Sequence, residues 1–395
     1  MRYASITDRL TDLGSEKWAL HLTARQMKAA GEDIIELTIG EPDVAPDQQL
    51  LDEANRAMRA GRTRYSNGRG EPSVLKALAD KYAKRRADTT TDNIMVFPGT
   101  QTALFAVMLG LVEKGDGVLV GDPLYATYEG VIAAAGAHPV YVPMHADKGF
   151  HMQAADLEKA ITPECKVLLL NSPHNPTGAV LSKEELRAIG DVCIRHDLWI
   201  VSDEVYEQLV YKGEFASPFD RPELAERTIV VSSISKSHAA PGFRSGWAVG
   251  PKEFCERLLP VSETMLFGVQ PFIADMTALA VSGTFTTSAV MRDLYTRRAG
   301  IILETLGHHA SLRVLPLEAG MFQLLDISKT GLSGEDFAWA LLREHKVAVM
   351  PGSSFGQQAK NLVRLSLTVP DEVLKEACKR IAALAEELEG QQAAE

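Results

Sequence analysis

From Asn93 onward, short apolar runs alternate with segments of helical periodicity. The runs are Ile94–Phe97, Val118–Val120, Pro139–Val142, Val167–Leu170, Leu198–Val201 and Ile229–Val231. None of them alternates apolar with polar residues. Such runs predict strands buried on both faces, the pattern of a mostly parallel α/β sheet with helices on either side. In that architecture the functional loops follow the carboxyl ends of the strands.

The flanking regions read differently. Lys17 to Ala30 predicts a helix stopped by Gly31, and Ile34 to Ile39 a short strand. Leu50 to Ala60 and Val74 to Arg86 predict two more helices. Gly40-Glu-Pro-Asp43 and the Gly-rich stretch after Thr63 predict loops. Beyond about residue 285 the pattern turns to α+β. A helix is expected at Met291–Leu306, a strand at Leu324–Ile327, and a capping-box helix after Ser333. Val363–Leu367 reads as an alternating strand. A final amphipathic helix opens at Thr368-Val-Pro-Asp371, with Leu374, Ala377, Ile381, Leu384 and Leu388 on one face. Gln391 to Glu395 is expected to fray. The pattern divides the chain into a large domain over 45–285 and a smaller α+β domain pairing 1–44 with 286–395.

Composition narrows the class. With 395 residues and 46% hydrophobic content, the chain can fill two cores. The net charge of -11 and the absence of a long basic run argue against a nucleic-acid partner. Cys165, Cys193, Cys255 and Cys378 are scattered and form no C-x-x-C pair. That argues against zinc or a disulfide framework and fits a reducing compartment. The N-terminus lacks an apolar signal region, and its acidic residues Asp8, Asp12 and Glu16 are unlike a transit peptide. No apolar stretch approaches the ~18 residues of a membrane span. A soluble cytoplasmic protein is expected.

Candidate chemistry gathers after the strands. Gly99-Thr100-Gln101 opens a helix after the first run. It reads as a phosphate seat of free backbone N–H groups, or as an ordinary cap. Tyr125, in Asp122-Pro-Leu-Tyr125, reads as a platform for a planar ring or as packing. Asn171-Ser-Pro-His-Asn175-Pro-Thr-Gly178 places two asparagines at a strand's mouth, where a plain turn explains only Pro and Gly. Asp203, in Asp203-Glu-Val-Tyr206, ends a buried run. It reads either as a helix N-cap or as a carboxylate awaiting a cation. Ser233-Ile-Ser-Lys236 ends the next run, with Arg244 eight positions on. A pocketed lysine there can lose its proton and act as a nucleophile, whereas a lone surface lysine would not. Arg364 lies inside an apolar strand, out of place unless it grips a carboxylate.

Together these residues resemble the class I/II aminotransferases, fold-type I enzymes dependent on pyridoxal 5′-phosphate (PLP). The likeness runs from Gly40-Glu-Pro-Asp43 to Arg364 and rests on Tyr65, Asn175-Pro-Thr-Gly, Asp203-Glu-Val-Tyr206, Ser-x-Ser-Lys236 and Arg244 in order. The resemblance implies that Lys236 binds PLP as a Schiff base and carries protons, and that Asp203 keeps the pyridine nitrogen protonated. It implies that Asn175 and Tyr206 bond the phenolic oxygen and that Tyr125 stacks on the ring. Arg244, Ser233 and Gly99-Thr100-Gln101 would hold the phosphate. Arg364, with Gly40 close by, would clamp the substrate carboxylate. Tyr65 would reach the phosphate of a neighbouring subunit in a homodimer. The run of motifs, including Ser235-Lys-Ser-His238 and Thr330-Gly-Leu-Ser333, looks like that of arginine–pyruvate transaminases. An aspartate- or aromatic-type enzyme using 2-oxoglutarate is the alternative. Gln101 stands where some aspartate-specific relatives place Lys, and Leu266 to Phe272 holds no arginine for a distal carboxylate. The same first shell also serves a β-lyase. A Ser-x-x-Lys serine acyltransferase would use Ser233 and Lys236 with Lys329-Thr-Gly331, but the order of its motifs is wrong.

Overall fold

The computed structural model describes residues 2–394 except 12, 14 and 15, and leaves the side chains of 16 and 392–394 aside. A short strand β1 (Ile35–Glu36) precedes the main sheet. The main sheet holds β2 (Ile94–Phe97), β3 (Gly117–Asp122), β4 (His138–Pro143), β5 (Cys165–Asn171), β6 (Trp199–Asp203), β7 (Thr228–Ser233) and β8 (Gly246–Val249). Their spatial order is β2-β8-β7-β6-β5-β3-β4. The ladders from β7 to β4 are parallel, and β8 runs antiparallel to both β2 and β7. The expected mostly parallel sheet flanked by helices is therefore present.

Period-2 alternation explains why the apolar runs at the heart of these strands show no polar positions. Met95, Phe97, Val118, Val120, Val167, Leu169, Val201 and Ile229 face one helical layer. Their neighbours Leu119, Leu168, Leu170 and Ile200 pack against the opposite side, with Ile94, Val96, Val230 and Trp247 in an adjoining cluster. Both faces are dry, so both sets must be apolar. One run departs from this. Pro139–Val142 lies in β4, which pairs only with β3 and leaves His138 and Tyr141 exposed. An edge position suits its proline, which has no N–H to donate.

A second, four-stranded antiparallel sheet, in the order β12-β13-β10-β9, joins β9 (Arg313–Val314), β10 (Phe322–Asp326), β12 (Met350–Pro351) and β13 (Leu362–Ser366). β11 (Val347–Ala348) pairs with β1 in parallel. The strand expected over 34–39 is only β1, yet its continuation is bound on both sides. Leu37 donates its N–H to Ala348 at 2.8 Å and accepts from Ser366 at 2.9 Å. The strand expected to alternate, β13, is buried throughout because it lies between β10 and β12. The helices Thr287–Leu306, Gly334–His345 and Asp371–Ala394 cover this region with one core. Ser333 caps its helix by accepting from Asp336 N–H at 3.1 Å, but its hydroxyl donates to the Asp336 carboxylate at 2.6 Å, a contact outside the reciprocal capping box. The helix expected from Lys17 begins at Ala19, after a 3₁₀ turn at Glu16–Trp18. The final helix continues to Ala394, through residues expected to fray; Glu395 lies outside the described residues.

Candidate active site

The carboxyl ends of β5, β6 and β7 open into one cavity of about 270 Å³, and the second sheet closes it from the side. Lys236 stands on the one-turn helix Ile234–Ser237, whose start is capped by Ser233 Oγ accepting from Ser235 N–H at 3.3 Å. Its Nζ donates to the Gly40 carbonyl at 2.6 Å. Burial pushes the ammonium down to about 8, aided by the Arg364 and Arg244 charges and opposed by Glu41.

Asp203, the last residue of β6, is buried in the same cavity. Its oxygens accept from the Tyr128 hydroxyl at 2.7 Å and from Val205 N–H at 3.2 Å. Burial raises the carboxyl to about 6, against these two neutral donors. No cation pairs with it among the described residues. The next carboxylate, Glu204, is likewise raised by burial, to about 7, but it meets different partners. It accepts from Arg85 at 3.2 Å, from Ser202 at 3.0 Å and from Ser217. Glu204 is thus a satisfied structural group, while Asp203 is left for a ligand.

Arg364 on β13 is the converse case. It is 3% exposed, and no carboxylate pairs with it among the described residues. One Nη donates to Asn175 Oδ1 at 3.0 Å and the other to the Thr38 carbonyl at 2.7 Å. Its guanidinium lies 3.8 Å from the Phe322 ring centroid and 4.5 Å from that of Phe355. Burial pushes it down to about 10. Nε is buried without a partner among the described residues. A cation held this way costs free energy until an anion arrives.

The pair of asparagines divides its work. Asn171 Nδ2 donates to the Asp203 carbonyl at 3.0 Å, and its Oδ1 accepts Asn175 N–H at 2.8 Å, so it orders the turn. Asn175 has its side-chain oxygen held by Arg364, which leaves its NH₂ free to donate. Tyr206 and Tyr125 line the cavity. Burial lifts both phenols above the ordinary value.

At the other end, Thr100 starts a helix that runs to Leu111, with Gly99 at φ 87° before it. A Cβ on Gly99 would lie 2.2 Å from Arg244 Nη2, so only glycine admits the guanidinium here. Arg244 is held by the Pro241 carbonyl at 2.7 Å and the Pro98 carbonyl at 3.4 Å. The buried Thr100 hydroxyl has no partner among the described residues. A helix start, a guanidinium and an unpaired hydroxyl together form an anion cradle. Gln101 also lines the cavity, its Oε1 accepting from the Thr127 hydroxyl at 3.1 Å. Gly40 meets the second sheet closely, since a Cβ there would lie 2.1 Å from the Phe322 ring.

Comparisons with known proteins give this geometry a family. The sequence model of aminotransferase class I and II matches residues 32–381. The chain belongs to the class I and II aminotransferases. It is 39% identical to an arginine–pyruvate transaminase of Pseudomonas aeruginosa, over 99% of this chain and all of that one. It is 34% identical to an aspartate aminotransferase of Geobacillus stearothermophilus, over 96% and 97% of the two chains. Among solved structures, the aspartate aminotransferase of Thermus thermophilus with maleate superposes with a TM-score of 0.90 at 32% identity, covering 97% of this chain and all of that one.

This aminotransferase thus moves amino groups between amino acids and 2-oxo acids. Of the residues expected at its site, Gly40, Thr100, Gln101, Tyr125, Asn175, Asp203, Tyr206, Ser233, Lys236, Arg244 and Arg364 line one cavity, and Gly99 abuts Arg244. Tyr65 does not join them within one chain. It is 88% exposed and packs edge-on against Phe267 at 5.5 Å. Several neighbours lie outside the expected set, Phe322 and three others among them. Tyr128 follows Tyr125 by three positions at a helix start, a spacing that brings both near one face. Thr38 acts through its backbone, which no side-chain pattern reveals. Trp18 reaches the cavity from a turn far from every motif. The Ser-x-x-Lys alternative loses its third element, because Lys329 is exposed on a separate 3₁₀ turn outside the cavity.

Proposed function

We propose that the cavity holds PLP through Lys236 and that arginine, or another amino acid, is the donor and pyruvate the acceptor. The observation that carries this reading is one cavity holding two uncompensated charges, the carboxylate of Asp203 and the guanidinium of Arg364, with a lysine of lowered pKa. PLP needs a carboxylate beside its pyridine nitrogen, an amine at its aldehyde and a cradle for its phosphate. The unpartnered Thr100 hydroxyl and the space that Gly99 leaves for Arg244 fit the last of these. Bound there, the cofactor supplies an electron sink for the α-carbon.

The protein's own groups do the rest. Asp203, steadied by Tyr128, holds a proton on the ring nitrogen. Asn175 and Tyr206 donate to the phenolic oxygen, and Tyr125 covers one face of the ring. The backbone of Gly99, Thr100 and Gln101 holds the phosphate, together with Ser233 and Arg244. Arg364 grips the α-carboxylate beside Gly40, and Lys236 Nζ takes and returns the α-proton. The large body over 45–285 would carry the cofactor. The smaller one, from 1–44 and 286–395, would bring Arg364 and Gly40. Four buried free cysteines fit a reducing, cytoplasmic setting.

Mixing amino acids singly with the PLP form and following the cofactor spectrum tests this reading. A competent donor converts the cofactor to its amine form and releases a 2-oxo acid, and pyruvate reverses the change. Release of ammonia without the amine form would instead mark a β-lyase. No conversion with any donor would overturn the reading.

We also propose a homodimer in which Tyr65 serves the neighbouring site. Tyr65 and Phe267 form an exposed aromatic pair, the kind of surface that a second copy covers. Sedimentation should give twice the 43.0 kDa chain mass, and Tyr65→Ala should release cofactor faster. A fully active monomer would remove Tyr65 from the site.

A further inference from the structure

We propose that Trp18, in a corner with Gln101, receives the donor side chain and selects a flat, delocalised cation such as a guanidinium over a carboxylate. The proposal rests on the aminotransferase reading of the cavity.

The charges of the cavity leave little choice. Its only cationic lining residues are Lys236, Arg244 and Arg364, among the described residues. All three are engaged: with the Gly40 carbonyl, with the Pro98 and Pro241 carbonyls, and with Asn175 and Thr38. Each also has a place in the chemistry above. A donor carboxylate beyond the α-carboxylate would meet neutral surface within this chain. Burying it there without a partner is costly.

Trp18 and Gln101 both line this cavity. Gln101 is held by Thr127. The neighbouring Ala126 packs with Met350 and Phe355 in a small apolar cluster, and Trp18 lies against that cluster. The Phe355 ring is the one that sits 4.5 Å from the Arg364 guanidinium. An amino acid gripped by Arg364 therefore has the Trp18 corner within reach of its side chain. Gln101 Oε1 spends one lone pair on Thr127, and the other can accept a guanidinium N–H.

The residue before Trp18 is anchored on both its backbone and its side chain. The carbonyl of Lys17 accepts from the Ser354 hydroxyl at 3.0 Å, and the Lys17 ammonium pairs with Glu129. The indole meets the His21 ring edge-on at 6.0 Å. His21 Nδ1 bonds the Thr38 hydroxyl at 2.7 Å, and the Thr38 carbonyl accepts from Arg364. The wall and the carboxylate clamp thus share one support. Indole has the strongest π-face for a cation, and guanidinium stacks on it well.

The test uses the PLP-loaded protein and three acids that have no α-amino group and do not react: 5-guanidinopentanoate, pentanoate and glutarate. Calorimetry should find the guanidino acid bound more tightly than glutarate. Trp18→Leu should cut that preference by roughly 3- to 30-fold, the range of a cation–π contact, with pentanoate binding nearly unchanged. Trp18→Phe should keep part of the preference, which separates a π-face from simple bulk. An unchanged preference in Trp18→Leu, or wild-type protein favouring glutarate, would overturn the proposal. If amino donors convert normally in either case, the aminotransferase reading stands without it. Failure of all three acids to bind while amino donors still convert would overturn the proposal alone, and no conversion with any donor would overturn the reading beneath it.

Discussion

In a Lys236→Ala variant the spectral band of lysine-linked cofactor disappears, and turnover falls by at least about 10²- to 10⁴-fold, the usual worth of a positioned acid–base group. Two functions are lost at once, the covalent anchor and the proton carrier, and among the described residues no other lysine lines the cavity to replace it. The remaining groups, from Asp203 to Arg244, still offer a noncovalent site. Such a variant should bind the cofactor weakly and leave it dialysable. A variant that keeps full turnover and a normal band would disprove the assignment.

The same residue predicts a pH dependence. Its amine is pushed down to about 8, chiefly by burial. At pH 7 about one molecule in eleven then carries the neutral, reactive amine, roughly 200-fold more than an ordinary lysine near 10.4. The neutral fraction grows as pH rises, so cofactor capture by the stripped protein should speed up about tenfold between pH 7 and 9 and then level off. A rate still climbing tenfold per unit beyond pH 9 would show an unperturbed lysine.

Arg364→Ala should weaken amino-acid binding by roughly 2–5 kcal/mol, or about 30- to 5,000-fold, while leaving the cofactor spectrum intact. The size follows from the setting. Arg364 is buried, has no carboxylate partner among the described residues, and is aimed by Asn175, Thr38 and two aromatic rings. Its charge is spent only when a substrate carboxylate arrives. Lysine should rescue little, because a point charge lacks the planar fork that makes two parallel bonds. Unchanged affinity for every amino donor would place the carboxylate elsewhere. The effect should appear in substrate binding and not in cofactor retention, since the phosphate cradle is built by Thr100 and Arg244 at the other end of the cavity.

Much of this was legible along the chain because the signals are local. An apolar run followed by a polar turn marks a strand end whether or not its partner strand is known. That rule located Gly99, Asn175, Asp203 and Lys236. It erred where burial depends on neighbours. Pro139–Val142 reads like its fellows but lies at the sheet's edge, and β13 is buried on every residue because strands flank both sides. The exposed Tyr65 illustrates a different boundary, since its expected role belongs to a second chain.

Hydrophobic period and turn chemistry act over a few residues, so the α/β architecture, the set of strand ends and the lysine can be read along the chain. Only the tertiary structure decided which carboxylate of Asp203-Glu204 faces the ligand, since adjacent residues point apart and Arg85, Ser202 and Ser217 claim Glu204. It also decided that Arg364 meets Asn175 across 189 residues and Thr38 across 326, and that Trp18 joins the site. Such contacts arise from the packing of one sheet against another. Local pattern carries no information about that packing.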